Sequence, residues 1–125
     1  MLPCVYFVRL YLSAAEFPDN RGLLVQAGAG KACLLLAFDS NTQKGQCAAA
    51  QTLARLAISM DPRVAFPGQR SLETVRPILQ LLAAECTGLQ NFEALLALTN
   101  LASLDNTHRY LRFLLLLFVF GTISI

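Results

Sequence analysis

The stretch Leu53-Ala-Arg-Leu-Ala57 (LARLA) has a counterpart 45 residues later in Leu98-Thr-Asn-Leu-Ala102 (LTNLA). Both stretches carry the pattern Leu-x-x-Leu-Ala. The same shift places Leu34 on Leu79, Leu36 on Leu81 and Ala49 on Ala94. Because the matched positions are apolar and follow a helical period, the chain is predicted to contain about two copies of one helical unit.

Turn and capping residues predict where the helices begin and end. Gly28 is a predicted helix C-cap, because glycine adopts the left-handed conformation at low cost. A second helix is then expected from about Gly30 to Phe38. Thr87 and Gln90 have the spacing of a capping box. They predict a helix from about residue 89 to residue 104, whose inward-facing residues would be Phe92, Leu95, Leu96, Leu98 and Leu101.

A further long helix is predicted over residues 40–60. Ser40 and Gln43 have capping-box spacing, and Pro62 ends the helix because it disfavours the α region for the residue before it. One apolar face is expected, made of Cys47, Ala50, Leu53, Ala54, Ala57 and Met60. Pro77 lies inside the next apolar pattern, so it either kinks that helix or begins a new one.

The composition favours a chain that packs against more of itself or against a partner. Of the 125 residues, 55% are hydrophobic and 14% are charged, which is more apolar than a typical soluble domain. The net charge of +2 gives no argument for nucleic-acid binding. The four cysteines form no C-x-x-C pair and the single histidine is distant from them in sequence, so no metal site is expected. Reduced thiols and a cytoplasmic location are expected.

No enzymatic or cofactor site is predicted. The segment GAGKA at residues 28–32 lacks the first glycine and the Ser or Thr of a phosphate-binding loop, since Val25 and Ala32 occupy those positions. Ser71 and His108 have no spacing that suggests a catalytic triad. Glu73, Glu85 and Glu93 are interpreted as solvated charges on helix faces. We therefore expect no catalytic residue and no cofactor.

A period of about 40–47 residues with paired helices is typical of armadillo and HEAT repeats. The segments LVQAGA (24–29) and LALTNLA (96–102) resemble helix ends and groove-lining helices of armadillo proteins. The predicted fold is thus an all-α, armadillo-like α-solenoid fragment of about two repeats. The resemblance implies that Asn100 projects from the concave face and binds the backbone of an extended client, with Arg55 at the equivalent position of the preceding repeat. The alternative is a buried amide at Asn100 that pins neighbouring helices.

A closer resemblance follows from DPRVAFPGQRSLETVRPILQLL (61–82) and GLQNFEALLALTNLAS (88–103). Together they resemble the UCS domain of the myosin-directed chaperones, over about residues 21–105. The resemblance implies that a Pro-Gly loop replaces a short first helix near residues 61–71 and borders a client-binding groove. Phe66 would offer an aromatic contact there, and Arg70 would offer hydrogen-bond donors. Gln90 and Asn91 are further candidates for the groove or its rim.

This family implies that the client is the myosin motor domain, captured reversibly on a concave surface. Three segments are expected: an atypical apolar segment (1–20), the UCS-like fragment (21–105) and an atypical hydrophobic tail (106–125). An Hsp90-type chaperone would bind only through a tetratricopeptide domain that lies outside these 125 residues. The alternatives are an inert or competing truncated form, and a small tail-anchored interaction protein. Membrane binding is the less favoured prediction, and self-association through an exposed end is allowed.

Overall fold

The computed structural model describes the backbone of residues 2–39, 43–66, 70–83 and 85–119, and within these the side chains of 9–38, 43–66, 71–83, 85–104 and 107–114. The described residues form helices and no strand, which confirms the predicted all-α class. The helices are α1 (Leu2–Ala15), α2 (Pro18–Gln26), α3 (Ala29–Asp39), α4 (Gln43–Ser59), α5 (Pro62–Ala65), α6 (Arg70–Gln80), α7 (Gly88–Leu101) and α8 (Asp105–Val119).

The helices lie in two layers that follow the sequence repeat. In one layer α4 packs between α1 and α7, and in the other α6 packs between α3 and α8. Two complete units, α2–α3–α4 and α5–α6–α7, therefore follow one another along the chain. Before them, α1 lies in the layer of the third helices α4 and α7. After them, α8 lies in the layer of the second helices α3 and α6. This arrangement confirms the predicted solenoid fragment of about two repeats. The boundary predicted after residue 20 falls within α2.

The central helix α4 is buried on every side over its second half. Each of the nine successive residues from Ala49 to Ala57 is at most 8% exposed, as expected for a helix enclosed by neighbours. Of the predicted apolar face, Ala50, Leu53, Ala54 and Ala57 are buried. The opposite side, which the apolar pattern leaves unassigned, is buried as well and carries the polar residues Gln51, Thr52 and Arg55.

The predicted caps at Gly28 and Thr87 are confirmed. Gly28 has a φ of 85° and lies between α2 and α3, so GAGKA is a turn between helices. The Thr87 hydroxyl accepts a hydrogen bond from the backbone N–H of Gln90 at 3.1 Å, and the Gln90 side chain accepts one from the Thr87 N–H at 2.9 Å. The predicted cap at Ser40 lies outside the described residues.

Two details of the helices bear on the sequence-based expectations. Pro77 lies inside α6, which decides between the two alternatives: it does not begin a new helix. The segment that follows α4 is not a loop throughout, because Asp61 caps the one-turn helix α5 with its side chain accepting from the Arg63 N–H at 2.8 Å. The Pro-Gly part of the predicted loop, at residues 67–69, lies outside the described residues.

The predicted inward face of α7 is only partly correct. Leu98 and Leu101 are buried, but Phe92 is 59% exposed, Leu95 55% and Leu96 40%. The reason is the position of α4, which packs on the other side of α7 and buries Ala94 and Ala97. The larger side chains consequently point away from the core.

Substitution of Gly28 by alanine is expected to lower the free energy of unfolding by about 1–2 kcal/mol, because a Cβ opposes the left-handed conformation. Gly22, inside α2, is the matched control. An added Cβ meets no atom within 4 Å at either position, so the two variants differ only in backbone conformation. Gly22→Ala is expected to raise stability by about 0.5–1 kcal/mol. Urea unfolding of both variants checks this, and equal effects would contradict it.

Candidate interaction surface

Helices α1, α4 and α7 share an open, polar surface. A pocket of about 430 Å³ crosses all three helices, and its polar lining includes Arg9, Lys44, Gln51 and Gln90. Two of these side chains are cationic and two are primary amides, and no carboxylate lines the pocket. Such a surface offers several hydrogen-bond donors and a positive potential, so it suits a polar or acidic chain segment.

A buried polar network holds the helices below this surface. The Glu93 carboxylate on α7 accepts hydrogen bonds from the Gln51 amide at 2.8 Å and from Arg55 Nε at 2.7 Å. Arg55 Nη1 also donates to the Leu12 carbonyl of α1 at 3.0 Å. The side chains of the ion pair are each 10% exposed. One carboxylate therefore joins α4 to α7, while the guanidinium extends the connection to α1.

This network corrects two sequence-based assignments. Glu93 is buried rather than a solvated charge, and the Arg55 guanidinium binds groups of its own chain. A buried, paired guanidinium offers little to a client, because breaking its ion pair would leave the carboxylate desolvated without a partner. Arg55 is therefore not positioned as the groove contact that its place in the repeat predicts.

Asn100 holds the end of α4. Its amide nitrogen donates to the carbonyls of Ala57 at 3.0 Å and Ile58 at 3.2 Å, which lie in the last turn of α4, where carbonyls lack helical partners. Asn100 also lines an open pocket of about 930 Å³ together with Ser59, Asp61 and Arg63, among others. The amide therefore pins two helices, as one of the two alternatives from the sequence states. Asn100 also borders an accessible cleft, and its role as a client contact stays a prediction.

The contacts of Arg55 and Asn100 are the same contact in successive units. Arg55 donates to the carbonyl of residue 12 and Asn100 to that of residue 57, and each bond spans 43 residues. The 45-residue shift maps Arg55 onto Asn100 and Leu12 onto Ala57. Each third helix thus carries a donor for the carboxyl end of the third helix before it. Arg21 adds a related contact, because its Nε donates to the Ala15 carbonyl at 2.6 Å.

The remaining predicted site residues lie in different environments. Phe66 is 1% exposed and lies in the core, where its ring would be 3.4 Å from a Cβ added at Gly30. It cannot offer the predicted aromatic contact, because its ring is already packed. Asn91 donates to the Leu81 carbonyl, and Gln90 lines the polar surface. Arg70 begins α6, but its side chain lies outside the described residues.

The sequence reasoning did not identify Arg9, Lys44 and Gln51 as residues that line this pocket. Lys44 and Gln51 lie seven residues apart on α4, which is two helical turns, so they share a face. That spacing was available in the sequence. Arg9 gave no such signal, since it lies in the apolar segment 1–20, and no local pattern in that segment predicts that α1 packs against α4.

Comparisons with curated proteins show close relatives. The chain is 46% identical over 101 residues to Protein unc-45 homolog B of Xenopus tropicalis, a match that covers 81% of this chain and 11% of the relative. It is 46% identical over 94 residues to the Homo sapiens protein of the same name, covering 75% of this chain and 10% of that one. This chain belongs to the UNC-45 family. It spans about a tenth of the length of these relatives, and no family model matches it.

Solved structures agree with the UNC-45 assignment. UNC-45 from Drosophila melanogaster matches with a TM-score of 0.78 and 46% identity, over 82% of this chain and 13% of that chain. A second structure, described as showing molecular features of the UNC-45 chaperone critical for binding and folding muscle myosin, matches with a TM-score of 0.77 and 36% identity. That match covers 83% of this chain and 12% of the other. The fold is therefore the armadillo-like helical solenoid of the family.

Among the described residues, no single helix has the length and apolar character needed to cross a membrane. In the part of the chain that the structure describes, α2 and α3 taken together are the one pair that meets the criteria of length and composition, and they are bent by 86° relative to each other.

Replacing Glu93 by alanine is expected to lower the free energy of unfolding by about 3–5 kcal/mol, because Arg55 would stay buried without its carboxylate. The double variant Arg55→Leu/Glu93→Leu is expected to lose less, since it removes both charges and keeps apolar volume. Glu73→Ala, at an exposed position of α6, is the control and should stay within about 0.5 kcal/mol of the parent chain. Chemical denaturation measures all three. A double variant less stable than Glu93→Ala would refute this account.

Proposed function

We propose that this chain is a client-binding segment of a myosin co-chaperone, acting in the cytoplasm without enzymatic activity. The observation that carries the proposal is the match to the UNC-45 structure described as binding and folding muscle myosin, at 36% identity and a TM-score of 0.77. The proposed client is a non-native or strained segment of the myosin motor domain.

The proposed mechanism is reversible binding on the surface shared by α1, α4 and α7. The amides of Gln51 and Gln90 are bound within the chain, Gln51 to Glu93 and Gln90 to the Thr87 N–H, whereas Lys44 and Arg9 supply positive charge and hydrogen-bond donors. An extended segment has unpaired backbone groups that such side chains can bind without reading one particular sequence. The buried ion pair of Arg55 with Glu93 fixes the spacing of the helices beneath, so the surface is preorganised before the client arrives.

The client-binding roles that the resemblance implies for Asn100, Gln90 and Asn91 enter this proposal in modified form. Gln90 lies on the proposed surface, and Asn100 borders the neighbouring cleft. Asn91 donates within its own chain. Hence a loss of binding on substitution of Asn100 would have to be separated from a loss of stability, because its amide supports α4.

The proposed function is tested by affinity of the purified chain for an isolated myosin motor domain, native and heat-stressed. Lys44→Glu reverses a charge on the surface and is expected to weaken binding by about tenfold, chiefly to acidic segments. Arg76→Glu is the matched control, because it makes the same type of change at an exposed position of α6, in the other layer. Circular dichroism confirms that each variant is folded.

A folded chain that captures no motor domain would refute the proposed function for this segment and would favour an inert or competing form. Equal losses of affinity in Lys44→Glu and Arg76→Glu would show that the overall charge of the chain governs binding. The client would then not bind specifically at the surface of α1, α4 and α7. A selective loss in Lys44→Glu supports the proposed site.

A further inference from the structure

Two cysteines from different units line one cavity. The cavity, of about 650 Å³, lies between the start of α4 and the end of α6, and its lining includes Cys47 of α4 and Cys86 of the connection between α6 and α7. Both cysteines are half-buried, so a small solute in the cavity can reach their thiols. The cavity therefore brings two accessible thiols to one place, at the boundary between the two units.

The packing of α4 on α7 sets Cys47 against Cys86. Gln51 and Gln90 are 39 residues apart, and the Gln90 amide donates a hydrogen bond to the Gln51 amide oxygen at 3.5 Å. The separation of Cys47 and Cys86 is also 39 residues. Each cysteine precedes its glutamine by four residues, which along α4 is about one helical turn on the same face. The two thiols thus continue the contact between α4 and α7 by one step toward the start of α7.

The two thiols also affect each other electrostatically. Burial raises the pKa of the Cys47 thiol, and negative charge at Cys86 and at Glu85 raises it further, as charges do at short distance inside a protein. Cys33 differs, because it is 0% exposed and burial raises the pKa of its thiol to about 12. Such a thiol stays protonated and inert. Of the cysteines whose side chains the structure describes, Cys47 and Cys86 are consequently the two that are placed to react.

We propose that Cys47 and Cys86 are a dithiol that hydrogen peroxide converts into an intramolecular disulfide. One thiolate attacks a peroxide oxygen, the O–O bond breaks, and the products are a sulfenic acid and a hydroxide that takes up a proton. The second thiolate attacks the sulfenic sulfur, so that the S–S bond forms as the S–O bond breaks and a second hydroxide is protonated. In sum, two thiols and one hydrogen peroxide give one disulfide and two waters.

The disulfide would tie the first turns of α4 to the chain just before α7. Because Cys86 directly precedes Thr87, the cap of α7, the bond would hold the start of α7 on α4, whereas Asn100 holds its other end. Closing a loop of about 40 residues restricts the unfolded chain, so oxidation is expected to stabilise the fold. In a reducing compartment such a bond is transient and responds to oxidant. The pair would accordingly act as a redox-sensitive clamp between the units.

The test is peptide mapping of the full 125-residue chain after brief exposure to hydrogen peroxide and blocking of the remaining thiols. Trypsin cleaves after lysine and arginine, except before proline, so the four cysteines fall in four different peptides, 1–9, 32–44, 45–55 and 71–109. The expected product joins 45–55 to 71–109, has lost two thiols that can be blocked, and reverts on addition of dithiothreitol. It should form at least about tenfold faster in the folded chain than in concentrated urea, because the fold holds the thiols together.

Single substitutions provide the matched controls. Cys47→Ser and Cys86→Ser are each expected to abolish the link, and Cys33→Ala is expected to form it like the parent chain. Oxidation should raise the urea midpoint of the parent chain and of Cys33→Ala, and should leave that of the two serine variants unchanged. Circular dichroism before oxidation confirms that each variant is folded.

Three results would overturn the proposal. The first is oxidation of either thiol without formation of the link, and the second is a link that involves peptide 1–9 or 32–44 or that joins two chains. The third is equally fast formation of the link in concentrated urea, which would show that the fold does not bring the thiols together. None of these measurements involves the myosin motor domain, so failure of this proposal is distinguishable from failure of the proposed function.

Discussion

The enclosure of α4 is the constraint on which the rest of the structure depends. A helix with nine successive residues at most 8% exposed must have a neighbour on every side, and every polar group on it must find a partner within the protein. Alanines along α4 let α1 and α7 approach closely. Gln51 and Arg55 then have to be satisfied, and Glu93 of α7 accepts from both. The ion pair is thus a consequence of the packing, and it fixes the register of α7 on α4.

Much of the fold could be predicted because its signals are local or periodic. The left-handed turn at Gly28 and the capping box at Thr87 depend on the conformational preferences of single residues and their near neighbours. The two-unit architecture follows from the repeat. The orientation of α7 could not be predicted in the same way, because Phe92 and Leu96 are apolar and a helical period does not distinguish a buried apolar face from an exposed one.

The candidate surface was harder to predict from the sequence for a related reason. The role of a charged residue depends on whether a counter-charge lies beside it, and Arg55 meets Glu93, 38 positions later in the sequence, only once the chain has folded. The same limit applied to Phe66, whose aromatic ring suggested a contact on a loop but packs against the first turn of α3. Gln90 is the candidate that the structure does place on the polar surface, since its position at the start of α7 follows from the cap beside it.

The hydrogen bonds from Arg55 and Asn100 to carbonyls 43 residues earlier in the chain would form in a fixed order during synthesis. On a ribosome the chain emerges from its N-terminus, so the end of α1 would leave the exit tunnel well before Arg55, and the end of α4 well before Asn100. Each unit would remain incompletely held until the following unit had been synthesised. Each newly made unit of such a solenoid would therefore be stabilised by the unit that follows it in the chain. A stalled or shortened chain would leave its last unit without that stabilisation.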